Sequence, residues 1–410
     1  MLVQYAVENY KSVRDEVIIN FRADSKREKN GWTTEFCDKV SPFYKCIGLF
    51  GSNASGKSNI IESFDFAVKF INNTISRKDS AKIQVVTFDF SEQYRKRPTR
   101  FEFIFYYEGI KYVYGFSVNR VEVEEEYLIG YYSNKPKTIF ERERGNLFKF
   151  KGNDVKFQEE ISKKTNSNRL YMPVAAEWGY VRLKPVMEWF DMLEWQNKEL
   201  FSSERIIAEI CKDEHRKKVF INELQKADFN IVDIYVEKKR FERRTQEVLD
   251  KLVSVVSESI NEYMGAPEEN YEVRVVHKNV KGEFMDISLS NESSGTVSII
   301  KNAAEIMYIG QYGGLMLEDE LGKEYHTLLT EYFLKMLQSK EVNNNDAQLF
   351  FSSHDVRMLD LLDLQQIYLV DKDDDGATFV KLLDDYDIRT SNVALGYLKG
   401  RYGGIPYVGR

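Results

Sequence analysis

Eight residues near the start of the chain have the types and spacing of a phosphate-binding loop. Residues 51–58, GSNASGKS, match the pattern G-x-x-x-x-G-K-[ST]. Glycines in such a loop let backbone N–H groups close around phosphate oxygens, and the next helix N-terminus adds partial positive charge. We expect Lys57 to reach the β- and γ-phosphates and the Ser58 hydroxyl to ligate Mg²⁺. The predicted nucleoside triphosphate contacts are Gly51, Ser52, Asn53, Ala54, Ser55, Gly56, Lys57, Ser58 and Asn59.

A second group of candidate residues is acidic. The segment GLMLEDEL ends an apolar run with Glu318, Asp319 and Glu320. Asp319 would hold the Mg²⁺ shell through water, and Glu320 would orient or deprotonate the attacking water. The alternative is an acidic helix start, which interacts favourably with the helix dipole. The preceding phosphate loop favours the catalytic interpretation, although an apolar residue is expected at position 318.

Histidine is scarce, and one of the four lies in a suggestive place. In QLFFSSHD, His354 directly follows an apolar run, where it would hydrogen-bond the γ-phosphate or the attacking water. The alternative is a polar residue that caps a strand end. The other three, His215, His277 and His326, share no close spacing with it, so the sequence does not predict a zinc site.

Residues 289–298, LSNESSGTVS, are small and polar and admit two interpretations. One is an ordinary helix-capping loop. The other is an anion site, because serine and glycine donors at a helix N-terminus bind phosphate.

The elements around these residues follow from the apolar pattern. Residues 44–50, YKCIGLF, predict a buried strand, and SNIIESFDFAVKFINNT has the apolar spacing of a helix. This strand–loop–helix context argues against a plain glycine turn at 51–58. After residue 266, strands and helices alternate in the manner of a parallel α/β sheet.

The rest of the chain divides by pattern into three parts. Residues 84–150 predict an antiparallel β segment, with glycine-tipped hairpin turns in YEGIKY and ERGNLF. Residues 155–262 are mostly helical in pattern and highly charged. We therefore predict an α/β fold with an N-terminal half of the core at 1–154, an inserted helical lobe at 155–265, and a C-terminal half at 266–410.

Composition limits the class of protein. The 410 residues are 43% hydrophobic with seven prolines, which excludes disordered and collagen-like chains. Three cysteines lie far apart, no stretch reaches 18 uninterrupted apolar residues, and the first residues lack the apolar core of a signal peptide. These features predict a cytoplasmic protein that spans no membrane. The net charge of −7 argues against a wholly basic nucleic-acid coat.

The motifs together resemble a known family. GSNASGKSN, LSNESSGT, LMLEDELGKEYH and QLFFSSHD, in this order, resemble the ABC-type ATPases of the SMC and RecF group. More narrowly, VENYKSVRDE, RPTRFEF, LQKADFNI and YLKGRYGGIPYV are similar to the AAA family 15 type ATPases of bacterial anti-phage and abortive-infection systems, which include the PARIS ATPase. The resemblance implies an ABC-type P-loop ATPase head that binds and hydrolyses ATP with Mg²⁺.

The resemblance also implies a role for each motif. Walker A corresponds to residues 51–58, Walker B to Asp319 and Glu320, the D-loop to residues 322–326, and the switch histidine to His354. The ABC signature, which in such ATPases faces the γ-phosphate held by a second subunit, corresponds to Ser293, Ser294, Gly295 and Thr296. A homo-oligomer joined by ATP is therefore implied. Gln84 is a weak candidate for the Q-loop, and at residues 365–366 glutamines stand where an aspartate is common in the family.

These features are compatible with three functions. The resemblance favours an ATP-dependent sensor or scaffold in anti-phage defence that controls a separately encoded effector, a nuclease, with a phage protein as trigger. The alternative is an SMC/RecF-like ATPase that binds nucleic acid in repair or recombination, for which EKKRFERR (237–244) and YRKRPTR (94–100) would supply phosphate contacts. Solvated surface faces explain both basic runs more simply.

The third function is a self-contained nuclease. DKDDDG, residues 371–376, has closely spaced carboxylates that would chelate a metal. It lies between two predicted strands and ends in Asp-Gly, which indicates a hairpin turn instead.

Overall fold

The computed structural model describes residues 1–24, 31–37, 41–152, 154–195, 203–227, 230–239, 270–323, 326–388 and 392–405. Its strands are β1 Leu2–Glu8, β2 Val17–Asn20, β3 Thr33–Cys37, β4 Pro42–Tyr44, β5 Cys46–Phe50, β6 Thr99–Tyr107, β7 Ile110–Val118, β8 Val123–Tyr131, β9 Lys137–Glu143, β10 Leu147–Phe150, β11 Ile231–Lys239, β12 Asn270–Lys278, β13 Phe284–Ser288, β14 Leu315–Glu318, β15 Gln348–Ser353, β16 Ile367–Lys372 and β17 Thr378–Leu382. The α-helices are α1 Lys57–Asn72, α2 Glu92–Arg95, α3 Val155–Ser162, α4 Tyr171–Glu177, α5 Lys184–Trp195, α6 Ser203–Cys211, α7 Glu214–Lys226, α8 Ser294–Tyr312, α9 Thr327–Gln338 and α10 Val393–Leu398.

A five-stranded sheet carries the predicted phosphate loop. Its order is β14-β15-β5-β16-β17, and all neighbours are parallel except the β16–β17 pair. Every residue of β5 and β15 is buried, which explains their near-continuous apolar sequences. The parallel strands β14, β15 and β5 end at the same edge, so the residues that follow each of them lie close together.

A seven-stranded antiparallel sheet, of order β10-β9-β8-β7-β6-β1-β2, forms the second layer. Helix α1 packs between the two sheets through Phe64. Its ring lies 4.8 Å from that of Tyr5 on β1, 5.3 Å from that of Phe103 on β6, and 6.4 Å from that of Phe350 on β15, measured between centroids. One aromatic side chain therefore joins the helix after the phosphate loop to both sheets.

The chain forms two compact units, residues 1–197 with 309–410, and residues 198–308. Residues 155–195 group with the first unit, whereas the sequence placed them in an inserted lobe. The reason is aromatic packing, since Trp189 on α5 is buried and stacks on Phe105 of β6 with ring centroids 3.9 Å apart. The second unit contains a three-stranded antiparallel sheet, β11-β12-β13, in addition to helices. The prediction of a mostly helical segment at 155–262 therefore did not include strand β11. Residues 240–262 lie outside the described part.

The α/β fold class is confirmed, with its antiparallel β segment and the predicted strand and helix on either side of the phosphate loop. Both hairpins are present, with Gly109 and Gly145 in left-handed turns at φ +75° and +79°. The strand predicted at 84–90 is absent, because its backbone pairs with loops: the Lys11 N–H donates to the Val86 carbonyl, and the Phe88 N–H donates to the Asn9 side chain. No helix within the described ranges is long and apolar enough to cross a membrane.

A buried ion pair fastens α4 to the antiparallel sheet. Glu126 on β8 and Arg142 on β9 have fully buried side chains, with Oε2 and Nη1 3.4 Å apart. The Glu126 carboxylate also accepts hydrogen bonds from the Tyr171 N–H at 2.6 Å and the Met172 N–H at 2.9 Å, in the first turn of α4. Arg142 donates to the Arg169 carbonyl at 2.6 Å, in the segment leading to that helix.

Arg142→Met is expected to lower the free energy of unfolding by about 3–5 kcal/mol, because it leaves the Glu126 carboxylate buried without its counter-charge. Chemical denaturation monitored by circular dichroism measures this loss. Lys149→Met is the matched control, since Lys149 forms an exposed pair with Glu143 and its loss should change stability little. Equal losses in the two variants would show that the buried pair does not fasten this region.

Candidate functional site

The phosphate loop leaves β5 at Gly51 and enters α1 at Lys57, and two of its glycines have no room for a side chain. A Cβ on Gly51 would lie 2.2 Å from the Val370 carbonyl oxygen of β16. Gly56 has φ +109°, and a Cβ there would lie 2.0 Å from Thr378 Oγ1 of β17. Close packing therefore requires glycine at both positions, and the left-handed backbone also requires it at position 56.

Lys57 points back over the loop. Its Nζ donates to the Gly51 carbonyl at 2.9 Å and the Ser52 carbonyl at 2.8 Å, and the residue is 5% exposed. Burial lowers the pKa of Lys57 to about 8, and the nearby carboxylates of Asp319 and Glu320 oppose this shift. The ammonium is thus held where an anionic ligand would stabilise its charge.

A hydrogen-bond chain supports the loop and includes two residues, Ser12 and Thr378, that the sequence did not single out. Asn59 Nδ2 donates to Ser12 Oγ at 2.6 Å, Ser12 and Thr378 hydroxyls bond at 2.7 Å, and Thr378 Oγ1 donates to the Ser55 carbonyl at 2.8 Å. Ser12 is 366 positions from Thr378. No local sequence signal could have linked them.

The predicted acidic residues follow β14 and are fixed by Ser352 of β15. Ser352 Oγ donates to Asp319 Oδ1 at 2.5 Å and accepts from the Glu320 N–H at 2.8 Å. The Leu321 N–H donates to the Ser352 carbonyl at 2.8 Å, and Glu320 adopts a left-handed φ of +58°. Because of this tight turn after β14, the side chains of Asp319 and Glu320 point in different directions. This is the arrangement expected if Asp319 holds Mg²⁺ and Glu320 acts on the attacking water.

The Glu320 carboxylate forms an ion pair with Lys323, with Oε2 and Nζ 2.5 Å apart. The side chains are 37% and 72% exposed, respectively. An exposed pair of this kind contributes little to stability. Because its side chain is partly exposed, the Glu320 carboxylate is accessible to solvent.

His354 directly follows β15, as the sequence predicted. Burial lowers the pKa of His354 below its usual 6.5, and repulsion from the Lys57 ammonium lowers it further. The imidazole is therefore neutral at pH 7 and can both donate and accept a hydrogen bond. The adjacent Ser353 hydroxyl donates to the Leu321 carbonyl at 2.9 Å, which holds the ends of β14 and β15 together.

These groups face one cavity of about 780 Å³. This volume falls within the usual range of small-molecule sites. Asp319 lies behind the lining, against Ser352. The cavity is lined by Asn53, Ala54, Gly56, Lys57, Ser58, Asn59, Glu320, Leu321, Gly322, Lys323, Ser353, His354, Asp355 and Lys372.

One buried group in the loop is suited to a ligand. Among the described residues, the buried Ser55 hydroxyl has no hydrogen-bond partner. Buried hydroxyls in folded proteins are normally paired. An anion in the loop would supply an acceptor at this position.

The LSNESSGTVS stretch belongs to the second unit and forms a capped helix start. Ser293 Oγ accepts a hydrogen bond from the Thr296 N–H at 3.1 Å and bonds the Thr296 hydroxyl at 2.8 Å. Ser294 is exposed at the first position of α8, and Gly295 is partly exposed. The capping interpretation is confirmed, and the role toward a second subunit stays a prediction.

Other sequence candidates do not join this site. Gln84 is exposed and donates only weakly, at 3.5 Å, to the Lys82 carbonyl. His326 caps α9, where its Nδ1 accepts from the Leu328 N–H at 3.2 Å; residues 324–325 of the expected D-loop lie outside the described part. The DKDDDG stretch is the β16–β17 hairpin, as predicted, and the described residues contain no cluster of three or more potential metal-ligating side chains.

Three of the four cations in the basic run at 94–100 contact neighbouring side chains, and two of them form ion pairs. Arg95 pairs with Asp89 at 2.9 Å, Lys96 pairs with Glu92 at 2.7 Å, and the Arg97 guanidinium lies 4.7 Å from the Tyr94 ring. The second run extends past residue 239 and out of the described ranges.

The chain is similar to known proteins over most of its length. Residues 46–360 match the protein family described as "AAA domain, putative AbiEii toxin, Type IV TA system". An SMC head domain from Thermotoga maritima is similar over 93% of this chain and 98% of its own, with 13% identity and a TM-score of 0.40. A structure of the SMC head bound to the C-terminal winged-helix domain of ScpA is similar over 93% and 96%, with 12% identity and a TM-score of 0.43. No curated protein matches the chain.

The buried state of Lys57 predicts a pH dependence of stability. Between its folded pKa of about 8 and its usual 10.5, the unfolded chain binds this proton and the folded chain does not. Stability of the wild type should therefore rise with pH in this window relative to Lys57→Met, by up to about 3 kcal/mol. Denaturant unfolding without nucleotide at a series of pH values measures the difference. Lys69→Met, on the same helix, controls for removal of a surface charge, and a difference that stays flat would contradict the burial of the Lys57 ammonium.

Proposed function

Since the chain belongs to the family described as AAA domain, putative AbiEii toxin, Type IV TA system, we propose that it binds and hydrolyses ATP with Mg²⁺ at the phosphate-loop cavity, in a site that a second copy of the chain completes. One observation carries the proposal. The phosphate loop, Glu320 and His354 line the same cavity, although they lie far apart in sequence.

The loop is suited to the triphosphate. Backbone N–H groups at the start of α1 and the Lys57 ammonium supply positive charge, and the unpaired Ser55 hydroxyl supplies a further donor. The carbonyls of Gly51 and Ser52 that hold Lys57 are weaker partners than a phosphate oxygen, because hydrogen bonds between two charged groups are stronger. Binding would therefore draw the Lys57 ammonium toward the β- and γ-phosphates.

The residues at the loop also fit a magnesium ion. Ser58 lines the cavity with an oxygen donor, and Asp319 lies behind it with one carboxylate oxygen bonded to Ser352. Mg²⁺ prefers such oxygen ligands together with water and phosphate. When bound, the ion neutralises charge on the β- and γ-phosphate oxygens.

The remaining groups would act on water. Glu320 is the proposed base, since its carboxylate is accessible at the cavity. Transfer of a water proton to this carboxylate gives the attacking oxygen its charge, and neutral His354 would hydrogen-bond that water or the γ-phosphate.

The exposure of Glu320 and Lys323 favours completion of the site by another molecule, because water exclusion strengthens charge stabilisation during phosphoryl transfer. Residues 293–296 are the proposed covering surface. Ser294 and Gly295 present backbone N–H donors at the start of the 19-residue α8, whose dipole favours an anion.

For the cellular role, we propose an anti-phage sensor or scaffold that acts in the cytoplasm and controls a separately encoded effector, a nuclease, in response to a phage protein. Two points support this role: the sequence resemblance to abortive-infection ATPases, and a family description that names a toxin and a TA system. A nucleic-acid clamp gains little support from the run at 94–100, because Arg95 and Lys96 form ion pairs with Asp89 and Glu92.

Glu320→Gln should bind ATP with near wild-type affinity, lower the hydrolysis rate by roughly 100-fold or more, and accumulate an ATP-joined assembly. Titration calorimetry, phosphate release and mass measurement with and without ATP test the three effects. Glu318→Gln is the matched control, because Glu318 is the neighbouring acid at the end of β14 and has no proposed role. Hydrolysis at the wild-type rate by the Glu320→Gln protein would show that this carboxylate is not the base.

A further inference from the structure

A second segment lies against the phosphate loop, and it comes from the last described part of the chain. This GRYGG segment, residues 400–404, follows α10. We infer that it forms a wall of the phosphate loop, that Asp371 is the positioning residue that docks it, and that docking is required for tight binding of the triphosphate. The inference rests on the proposed function and adds a requirement that the loop motif does not contain.

Asp371 connects the segment to β16. Its Oδ2 accepts a hydrogen bond from the Gly404 N–H at 3.0 Å, while its Oδ1 accepts from the Lys372 N–H at 2.9 Å. Tyr397, on α10, donates from its hydroxyl to the Gly404 carbonyl at 2.6 Å, and the Tyr397 side chain is buried. Both polar groups of the Gly404 backbone are therefore fixed by side chains.

This fixed glycine lies beside the first glycine of the loop. A Cβ on Gly404 would be 3.7 Å from Gly51 Cα and 3.4 Å from the Tyr397 ring. Gly51 also approaches the Val370 carbonyl so closely that a Cβ would lie 2.2 Å from that oxygen. The backbones of β16 and of the GRYGG segment therefore both lie close to Gly51.

The position of Gly51 matters for the phosphate site because its carbonyl accepts a hydrogen bond from Lys57 Nζ at 2.9 Å. Movement of Gly404 would open one side of Gly51 and loosen the start of the loop. Small displacements of positioned groups have large effects on binding and catalysis. Asp371 thus bonds Gly404, Gly404 lies beside Gly51, and Gly51 bonds Lys57.

The segment is anchored by side chains rather than by strand pairing. The Tyr402 ring covers Gly396, where a Cβ would lie 2.3 Å from its hydroxyl, and the Tyr386 hydroxyl donates to the Tyr402 carbonyl at 2.8 Å. Elements held by a few such bonds open at lower cost than core strands. Loss of the Asp371 contact should therefore release the segment without unfolding the sheet.

Asp371→Leu tests the inference, because leucine removes both acceptor oxygens at similar size. We expect its affinity for Mg·ATP, measured by calorimetry, to fall roughly tenfold or more, as for loss of a hydrogen bond to a charged group. Its thermal unfolding should retain a single cooperative transition. Asp371→Asn keeps an oxygen acceptor for the Gly404 N–H and should restore affinity to within about threefold of wild type.

Two glycine variants distinguish the effect of disturbing the Gly404–Gly51 approach from the effect of backbone strain alone. Gly404→Val and Gly109→Val each place a branched side chain at a left-handed φ, +71° and +75°, respectively. Around Gly109 nothing lies within 4 Å of the added Cβ, so only strain results there. Both variants should lose a similar amount of thermal stability. Gly404→Val should also lower ATP affinity roughly tenfold, whereas Gly109→Val should leave ATP affinity unchanged.

Two results would overturn the inference: wild-type affinity in Asp371→Leu, or equal affinity in the two valine variants. Failure of the proposed function looks different, since the wild-type protein would then bind no ATP at all. Wild-type binding together with an unaffected Asp371→Leu protein would reject only the role of the GRYGG segment.

Discussion

Parallel pairing of β14, β15 and β5 is the constraint on which the site depends. Parallel neighbours end at the same edge of a sheet, so Asp319 and Glu320, His354 and the phosphate loop are delivered to one place by three separate strands. Ser352 then sets the fine geometry, because one hydroxyl bonds both the Asp319 carboxylate and the Glu320 N–H. A shift of register between β14 and β15 would separate the acids from the loop.

Charge is the second organising feature of this edge. The Lys57 ammonium is buried, with only carbonyls as hydrogen-bond partners, and burial lowers its pKa to about 8. A bound anion would give a partner to both the buried ammonium and the unpaired Ser55 hydroxyl. The protein alone stabilises these two groups poorly, so the site favours an anion. Glu320 and Asp319 reduce the positive potential, and Mg²⁺ is the natural counterpart of their negative charge.

Much of the site could be predicted from sequence because its chemistry is carried by short motifs. The pattern at 51–58 specifies a strand–loop–helix unit, and both β5 and α1 are where it placed them. Acidic residues and a histidine after apolar runs indicated strand ends, which is where Glu320 and His354 lie. The β pattern at 84–90 did not produce a strand, because Val85 and Phe88 are buried while the backbone bonds to loops, and composition does not distinguish that arrangement from a strand.

Contacts between distant segments could not be predicted in this way. Ser12 and Thr378 support the loop from opposite ends of the chain, and neither has a motif of its own. The approach of Gly404 to Gly51 likewise depends on tertiary packing. Residues 155–195 were assigned to a separate lobe because their helical pattern is visible in sequence, whereas the stacking of Trp189 on Phe105 is not.

The central claim is that one copy supplies the phosphate loop and another supplies residues 293–296. Mixing Lys57→Met protein with Ser294→Arg protein tests it most directly, because a mixed dimer would have one site with both defects and one with neither. Each protein alone should be inactive, and an equal mixture should regain roughly a quarter of the wild-type ATPase rate if pairing is random and sites are independent. A mixture as inactive as its components, with both proteins folded and Ser294→Arg able to bind ATP, would contradict a site shared between copies.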